Sequence, residues 1–510
     1  MSSTTAPAPT DSRSISNSLA ADRMGAPGIG LAIASSVAPL TVVAGVVTTG
    51  LAVTGLTAVS AAMIAVAVAL IIFAVGYLAM ARHITNAGAF YAYISKGIGR
   101  PFGVGASWLA LLFYNCFQVA SYGGFGFLAA GFVQDKLGVD IPWWAYALVS
   151  WAIVAWLGRR DVSVSEKVLA VLVISETALV VVYSLAVLFS SDFQFSAAPF
   201  SVSNLFASGG GALLAIGATA FAGVEQGAVY IEESKDPLRS VPRATYVTIA
   251  LIGALYAIAS WVQISAAGPG VVDRAGQEGP DMFFNEAAVP LGGWAVDLGH
   301  ILFMTSLLAA MIAFHNIIAR YTFALGREGV LPKAFGRTVG GAPRNASLAQ
   351  SVLGLLVIAI YAAFNLDPLV QLFFWGGTTG GVGVLLLITL TSIAVLGFFA
   401  RDTHGETLWR RLVAPAIGTV LLLIISYLAI TNLSTLYGPA PSPGPAVVMP
   451  IAAAVVLVAG IAWGLILKQS RPDVYEGIGL GPRSTVAAAA AGGFSAMMAG
   501  TAPTNRSEIR

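Results

Sequence analysis

Two glutamates stand where glutamate is costly. Glu176 lies in the middle of VLAVLVISETALVVVYSL, and Glu225 lies in an apolar stretch that also holds Phe221, Ala222 and Gly223. A charged carboxylate at the centre of a bilayer costs about 2.5–3.5 kcal/mol on insertion scales, so each needs a partner, water or a proton. Low dielectric disfavours the charged form of a carboxyl, which suits a group of this kind to take up and release a proton. Gly223 and Gly227 flank Glu225. Glycine weakens a helix by about 1 kcal/mol per position and permits unusual torsions. A weakened helix with a carboxylate at membrane depth reads as a site. The bland alternatives are a permanently protonated Glu176 bonded to a backbone carbonyl, a Glu225 that only bonds helix to helix, and glycines that only allow close packing.

The elements that must hold these groups are membrane helices. Of 510 residues, 57% are hydrophobic and 10% charged, where a soluble chain carries roughly a quarter charged. Apolar runs recur near 31–55, 59–82, 104–131, 142–158, 165–190, 205–231, 244–266, 292–320, 347–365, 368–398, 412–432 and 447–467. Each can cross about 30 Å of hydrocarbon. The fold class is therefore an all-α integral membrane protein of about twelve transmembrane helices. Residues 1–30 read as a disordered N-terminal tail and 471–510 as a C-terminal tail. Lys and Arg concentrate in alternate loops, at Arg82, Lys96 and Arg100, at Lys235, Arg239 and Arg243, and at Arg327, Lys333, Arg337 and Arg344. The intervening loops offer little beyond Lys136 and Arg274, and the proline-rich 439–445 loop is uncharged. That bias places both termini in the cytoplasm, and the chain is expected as a multi-pass protein of the plasma (inner) membrane.

Several function classes drop out. A net charge of +2 is too small to imply nucleic acid, and the single Cys116 offers no disulfide and no cysteine-based metal site. The sequence has no His/Cys cluster, phosphate loop or nucleophile elbow. An ATP-driven pump or a membrane enzyme is disfavoured, and no cofactor or metal is expected.

Three motifs stand in order along the chain: NAGAFYAYISKGIG at 86–99, FAGVEQGAVYIEESKDPLRSVPRA at 221–244, and NIIARYTFALGREGVLPKAFG at 316–336. Together they resemble the amino acid–polyamine–organocation (APC) superfamily over roughly residues 31–470. The middle motif is similar to the family's sixth segment through Phe221, Gly223, Val224, Glu225, Glu233, Pro237, Pro242 and Arg243. The resemblance implies a LeuT-like 5+5 inverted repeat, about 31–190 and 203–400, with helices 1 and 6 broken at midplane and two further helices at 411–468. Its break in helix 1 falls at Val43, Ala44 and Gly45, where this chain lacks the family's commoner glycine–serine–glycine triplet. A half-helix start offers free N–H groups to a carboxylate, and a half-helix end offers carbonyls to an ammonium.

The implied substrate is an amino acid or related amine, moved by alternating access through proton-coupled symport or exchange, with sodium a smaller option. The alternative is a ligand sensor or channel on the same fold. Substrate contacts fall on Val43, Ala44, Gly45, Tyr114, Gln118, Phe221, Ala222 and Gly223. Tyr114 and Gln118 are four apart and share a helix face. The resemblance sets Glu176 against helix 8, with Thr305 and Ser306 opposite. Ser306 is expected to bond Glu176 during coupling, and Glu225 to gate. Glu232 and Glu233 are expected to pair with basic residues such as Arg320 or Arg327. Phe373, Phe374 and Trp375 read as an aromatic outer gate, while His300 and His315 take no role. Membrane lipid surrounds the protein, as a monomer or homodimer.

Overall fold

A computed structural model describes residues 15–16, 19–160, 162–191, 193–438 and 444–484. Most of the two expected tails, and residues 439–443 of the uncharged loop, lie outside them. Among the described residues eleven helices are long and apolar enough to cross a membrane, and a further apolar helix, Trp143–Leu157, has 15 residues. Counting that short helix as helix 4, the order is helix 1 (Ala26–Thr54), helix 2 (Val59–Ala81), helix 3 (Arg100–Leu137), helix 5 (Val162–Leu188) and helix 6 (Gly210–Glu233). Helix 7 (Pro237–Ala267), helix 8 (Trp294–Arg327), helix 9 (Arg344–Ala363), helix 10 (Pro368–Arg401), helix 11 (Trp409–Thr431) and helix 12 (Pro445–Ser470) follow. In hydrocarbon every backbone polar group must be satisfied internally, which is why apolar runs of this length fold as helices.

Burial sorts them. In helix 6, 89% of the apolar window is enclosed, against 6% in helix 12, which packs along helix 3 at the rim. Helix 1 begins at Ala26 and its first part packs against helices 5, 7 and 8 and the second half of helix 6. The glycine-rich stretch after helix 2 forms the short helix Ala89–Gly97. The long acidic loop after helix 7 folds as two short helices, Val271–Glu278 and Asp281–Leu291. Residues 471–484, expected as tail, instead form a helix (Pro472–Gly477) and turns packed on the protein. A two-residue antiparallel pair joins Ile15–Ser16 to Thr338–Val339.

Helices 1 and 6 are interrupted. Helix 6 breaks as expected at Gly223, whose φ of +114° excludes ordinary side chains. Its first half runs Gly210–Thr219, and the second is a 3₁₀ stretch, Val224–Glu233. In helix 1 the expected break at Gly45 is corrected. The chain reverses hand at Ala38, φ +47° and ψ +73°, between Ala26–Val37 and Pro39. The cause is Pro39, whose ring pushes the preceding residue out of the right-handed region and which has no N–H to continue the ladder. Gly45 lies in the widened π-helical stretch Val42–Val46.

Candidate functional site

The two interruptions touch. Ser36 Oγ donates to Ile33 O at 2.6 Å and lies 3.4 Å from Gly223 O. A Cβ on Gly223 would sit 2.4 Å from that Ser36 oxygen, so glycine is required for the approach as well as for the torsion. Beside this contact is a cavity of about 160 Å³. Ser36, Ala38, Thr41 and Gly45 of helix 1 line it with Thr219 and Ala222 of helix 6, Phe117 and Ser121 of helix 3, Phe314 of helix 8, and Phe373 and Phe374 of helix 10. Among the described residues no acidic or basic side chain contributes to its wall. A larger apolar space of about 380 Å³ between helices 3, 10, 11 and 12 touches neither interruption.

Glu176 comes from helix 5 and is fully buried. Its Oε2 accepts from the Leu40 N–H at 3.2 Å. Leu40 opens the second half of helix 1, where the first N–H groups have no partner within the helix and the dipole favours a negative group. Among the described residues Oε1 has no other protein group within hydrogen-bonding geometry than the neighbouring Ser306 hydroxyl. Ser306 lies beside the carboxyl, with its own hydroxyl 3.0 Å from Thr41 Oγ1. Thr305 turns back to Leu302 O in its own helix. Tyr256 OH donates to Val37 O at 3.2 Å, holding the last carbonyls of the first half of helix 1.

Glu225 is bonded differently. Its Oε2 accepts from Gly223 N at 2.9 Å, two residues back, and its Oε1 accepts from Tyr114 OH at 2.7 Å. Tyr77 OH donates to the Glu225 backbone carbonyl at 2.9 Å. Tyr93 and Tyr321 stack edge-on against Tyr77 and Tyr114. Gln226, next along, is buried with both side-chain polar atoms unpartnered.

Further along helix 6 the chain is locked toward the Lys/Arg-rich face. Arg320 pairs with Glu233 at 2.5 and 3.0 Å, and Arg327 holds Glu232 through two contacts of 2.7 Å. Ala87 N donates to Glu232 Oε1 at 2.9 Å. Removing one partner of a buried pair leaves the other charge uncompensated, so such pairs strongly oppose separation by single steps. Glu328, the next residue after Arg327, is also buried; burial pushes its carboxyl up from its ordinary value, and bonds from Tyr91, Gly479 and Gly481 pull against that.

Of the residues singled out in the sequence, Gly45 and Ala222 line the cavity, and Gly223 forms the contact beside it. Val43 and Ala44 are buried away from the cavity wall. Tyr114 engages Glu225, and Gln118 donates to Tyr122 OH at 2.9 Å; neither lines the cavity. Phe221 packs edge-on against Tyr256, 5.4 Å between centroids. His300 meets Asp281 and His315 meets Ser347, each at 2.8 Å. Among the described residues no group of His, Cys, Asp and Glu could hold a metal ion. Ser36, Ala38, Phe117 and Ser121 were missed. The signal for the first two was present, a serine pair three residues ahead of a proline inside an apolar run. The signal for the last two was not, because spacing gives a shared face but not the rotation of the helix.

A family model described as amino acid permease matches residues 28–476. The chain is 26% identical over 353 residues to the low-affinity putrescine importer PlaP of Escherichia coli (strain K12), covering 67% of this chain and 74% of that protein. It is 24% identical over 328 residues to the branched-chain amino acid permease BcaP of Lactococcus lactis subsp. cremoris, covering 58% and 67%. It is 29% identical over 178 residues to the cadaverine/lysine antiporter of Escherichia coli (strain K12), covering 35% and 36%.

Proposed function

We propose that this chain, which belongs to the amino acid permease family, is a secondary transporter that carries a small amino acid by alternating access and couples it to a proton at Glu176. The observation that carries the reading is the cavity where the interruptions of helices 1 and 6 meet, with a buried carboxyl bonded to the start of the second half of helix 1. Interrupted backbone at membrane depth is tolerated only inside protein or along a water-filled cavity. The broken ends at Ala38 and Gly223 supply backbone dipoles for a carboxylate and an ammonium. The 5+5 inverted repeat accounts for two interrupted helices facing one another.

The cavity wall selects the rest of the substrate. Named relatives carry putrescine, branched-chain amino acids, or cadaverine and lysine. A diamine or lysine would bring a second ammonium into a wall of Phe117, Phe314, Phe373, Phe374, Val42 and Val46 that has no countercharge, and an unpaired buried charge is strongly disfavoured. The substrate is an amino acid with an apolar side chain. In coupling, the Leu40 N–H and the Ser306 hydroxyl are the groups that face the Glu176 carboxyl as its proton comes and goes. The Lys/Arg-rich face is cytoplasmic in this reading, and the paired Glu232–Arg327 and Glu233–Arg320 close that side.

A thermal-shift screen of the purified protein against leucine, isoleucine, valine, phenylalanine, lysine, putrescine and cadaverine tests the substrate class. The expected outcome is saturable stabilisation by apolar amino acids alone. Stabilisation by the diamines, with none by leucine or valine, would contradict it.

A further inference from the structure

The basic face carries a second closure, made by the end of the described chain. After helix 12 the chain forms the short helix Pro472–Gly477 and then turns back at Gly479 and Gly481. There two backbone N–H groups converge on one carboxylate: Gly479 N donates to Glu328 Oε2 at 2.6 Å, and Gly481 N to Glu328 Oε1 at 2.8 Å. Tyr91 OH and Asn86 Nδ2 fill the remaining positions at 2.6 and 2.7 Å. All four contacts are donors and none is a cation. The two glycines have φ of +78° and +60°, the left-handed region that lets successive N–H groups face one anion. A Cβ on Gly481 would lie 2.6 Å from Thr85 O. Ile478 is wholly buried between them and the helix.

This junction is continuous with the ion pairs of helix 6. Asn86 binds Glu328 while the next residue, Ala87, binds Glu232. Glu328 binds the chain end while the residue before it, Arg327, holds Glu232. Separating helix 6 from the Asn86–Ala87 turn on this face therefore pulls on a turn and a helix end that the 478–481 segment ties together.

We propose that residues 478–481 are a strap that holds the Lys/Arg-rich face closed, with Glu328 as its anchor, and that this strap is released when the transporter opens on that side. The carboxylate stays on helix 8 and the two N–H groups leave with the chain end. Release costs the Gly479 and Gly481 N–H bonds to Glu328 and leaves those of Asn86 and Tyr91 in place, so strap occupancy sets how often this face opens. The strap acts whatever the substrate is.

Backbone hydrogen exchange followed by mass spectrometry on the full-length protein tests it without any substrate. In Glu328→Gln and Gly481→Ala, exchange should rise about tenfold at Asn86–Ser95 and Ile231–Ser234. Exchange at the opposite-face helices Val271–Glu278 and Asp281–Leu291, and within helices 2 and 5, should not change. Tyr91→Phe keeps the glycine turn intact and removes one of the four bonds; a smaller rise in the same two segments is expected, and it covers the case in which the stronger variants fail to fold. Folded variants with unchanged exchange at both segments would overturn the strap. So would a rise spread equally over the opposite face, which would mark a general loss of stability.

Discussion

The interruptions of helices 1 and 6 look like a matched pair, but they are made and held by different means. In helix 6 the break is written in the residue itself: Gly223 adopts a torsion that other residues avoid, and Glu225, two positions on, caps it. In helix 1 the break falls on Ala38, forced from the next position by Pro39, and the N–H group that follows is held by Glu176 from another helix. One break is braced within its own segment and the other across a helix interface. A change at Glu225 therefore acts locally on helix 6 and on Tyr114, whereas a change at Glu176 alters how helix 1 is attached to helix 5. That difference is the ground on which we propose coupling at Glu176 and gating at Glu225.

The largest effect expected from breaking this contrast is at Gly223. Gly223→Ala places a side chain in the left-handed region at about 1–2 kcal/mol and drives a Cβ to 2.4 Å from Ser36 Oγ. Substrate binding and transport should fall at least a hundredfold, read by uptake and by thermal shift. Pro39→Ala should separate stability from function. Ala38 can then return to the right-handed region, relieving a strain of about 1–2 kcal/mol; thermal stability should rise while transport falls about tenfold, since the continuous helix no longer offers broken ends. A variant that loses stability instead would show that Pro39 does not impose the reversal. The smallest effect is Tyr114→Phe, which removes one bond of about 1 kcal/mol from Glu225. It should change the transport rate about fivefold and leave the pH dependence alone, because the proposed coupling group, Glu176, is elsewhere.

The same contrast explains how much was legible in the sequence. The membrane helices, the break at Gly223 and the partners of Glu232 and Glu233 follow from composition, torsional preference and family motif. The break in helix 1 lies at Ala38, seven residues ahead of Gly45, because the pre-proline restriction acts there while Gly45 stays helical. Tyr114 and Gln118 share a face as expected, but there Tyr114 meets Glu225 while Gln118 bonds Tyr122 of its own helix, and the neighbouring face with Phe117 and Ser121 meets the cavity. Helix rotation is decided by packing against partners, which a single helix does not encode. Residues 471–484 read as tail from sequence because glycine and polar composition suit a tail as well as a turn; their partner, Glu328, lies 151 positions from Gly479.

The most direct test of the account is uptake into proteoliposomes containing the wild-type protein or Glu176→Gln, with an apolar amino acid such as leucine and an imposed pH gradient, acid on the side of entry. The account predicts saturable accumulation by the wild type that a protonophore abolishes. Glu176→Gln should show no pH-driven accumulation but retain exchange of labelled for unlabelled leucine. Accumulation by Glu176→Gln with unchanged pH dependence would contradict the coupling role, and unsaturable flux in the wild type would contradict transport by alternating access.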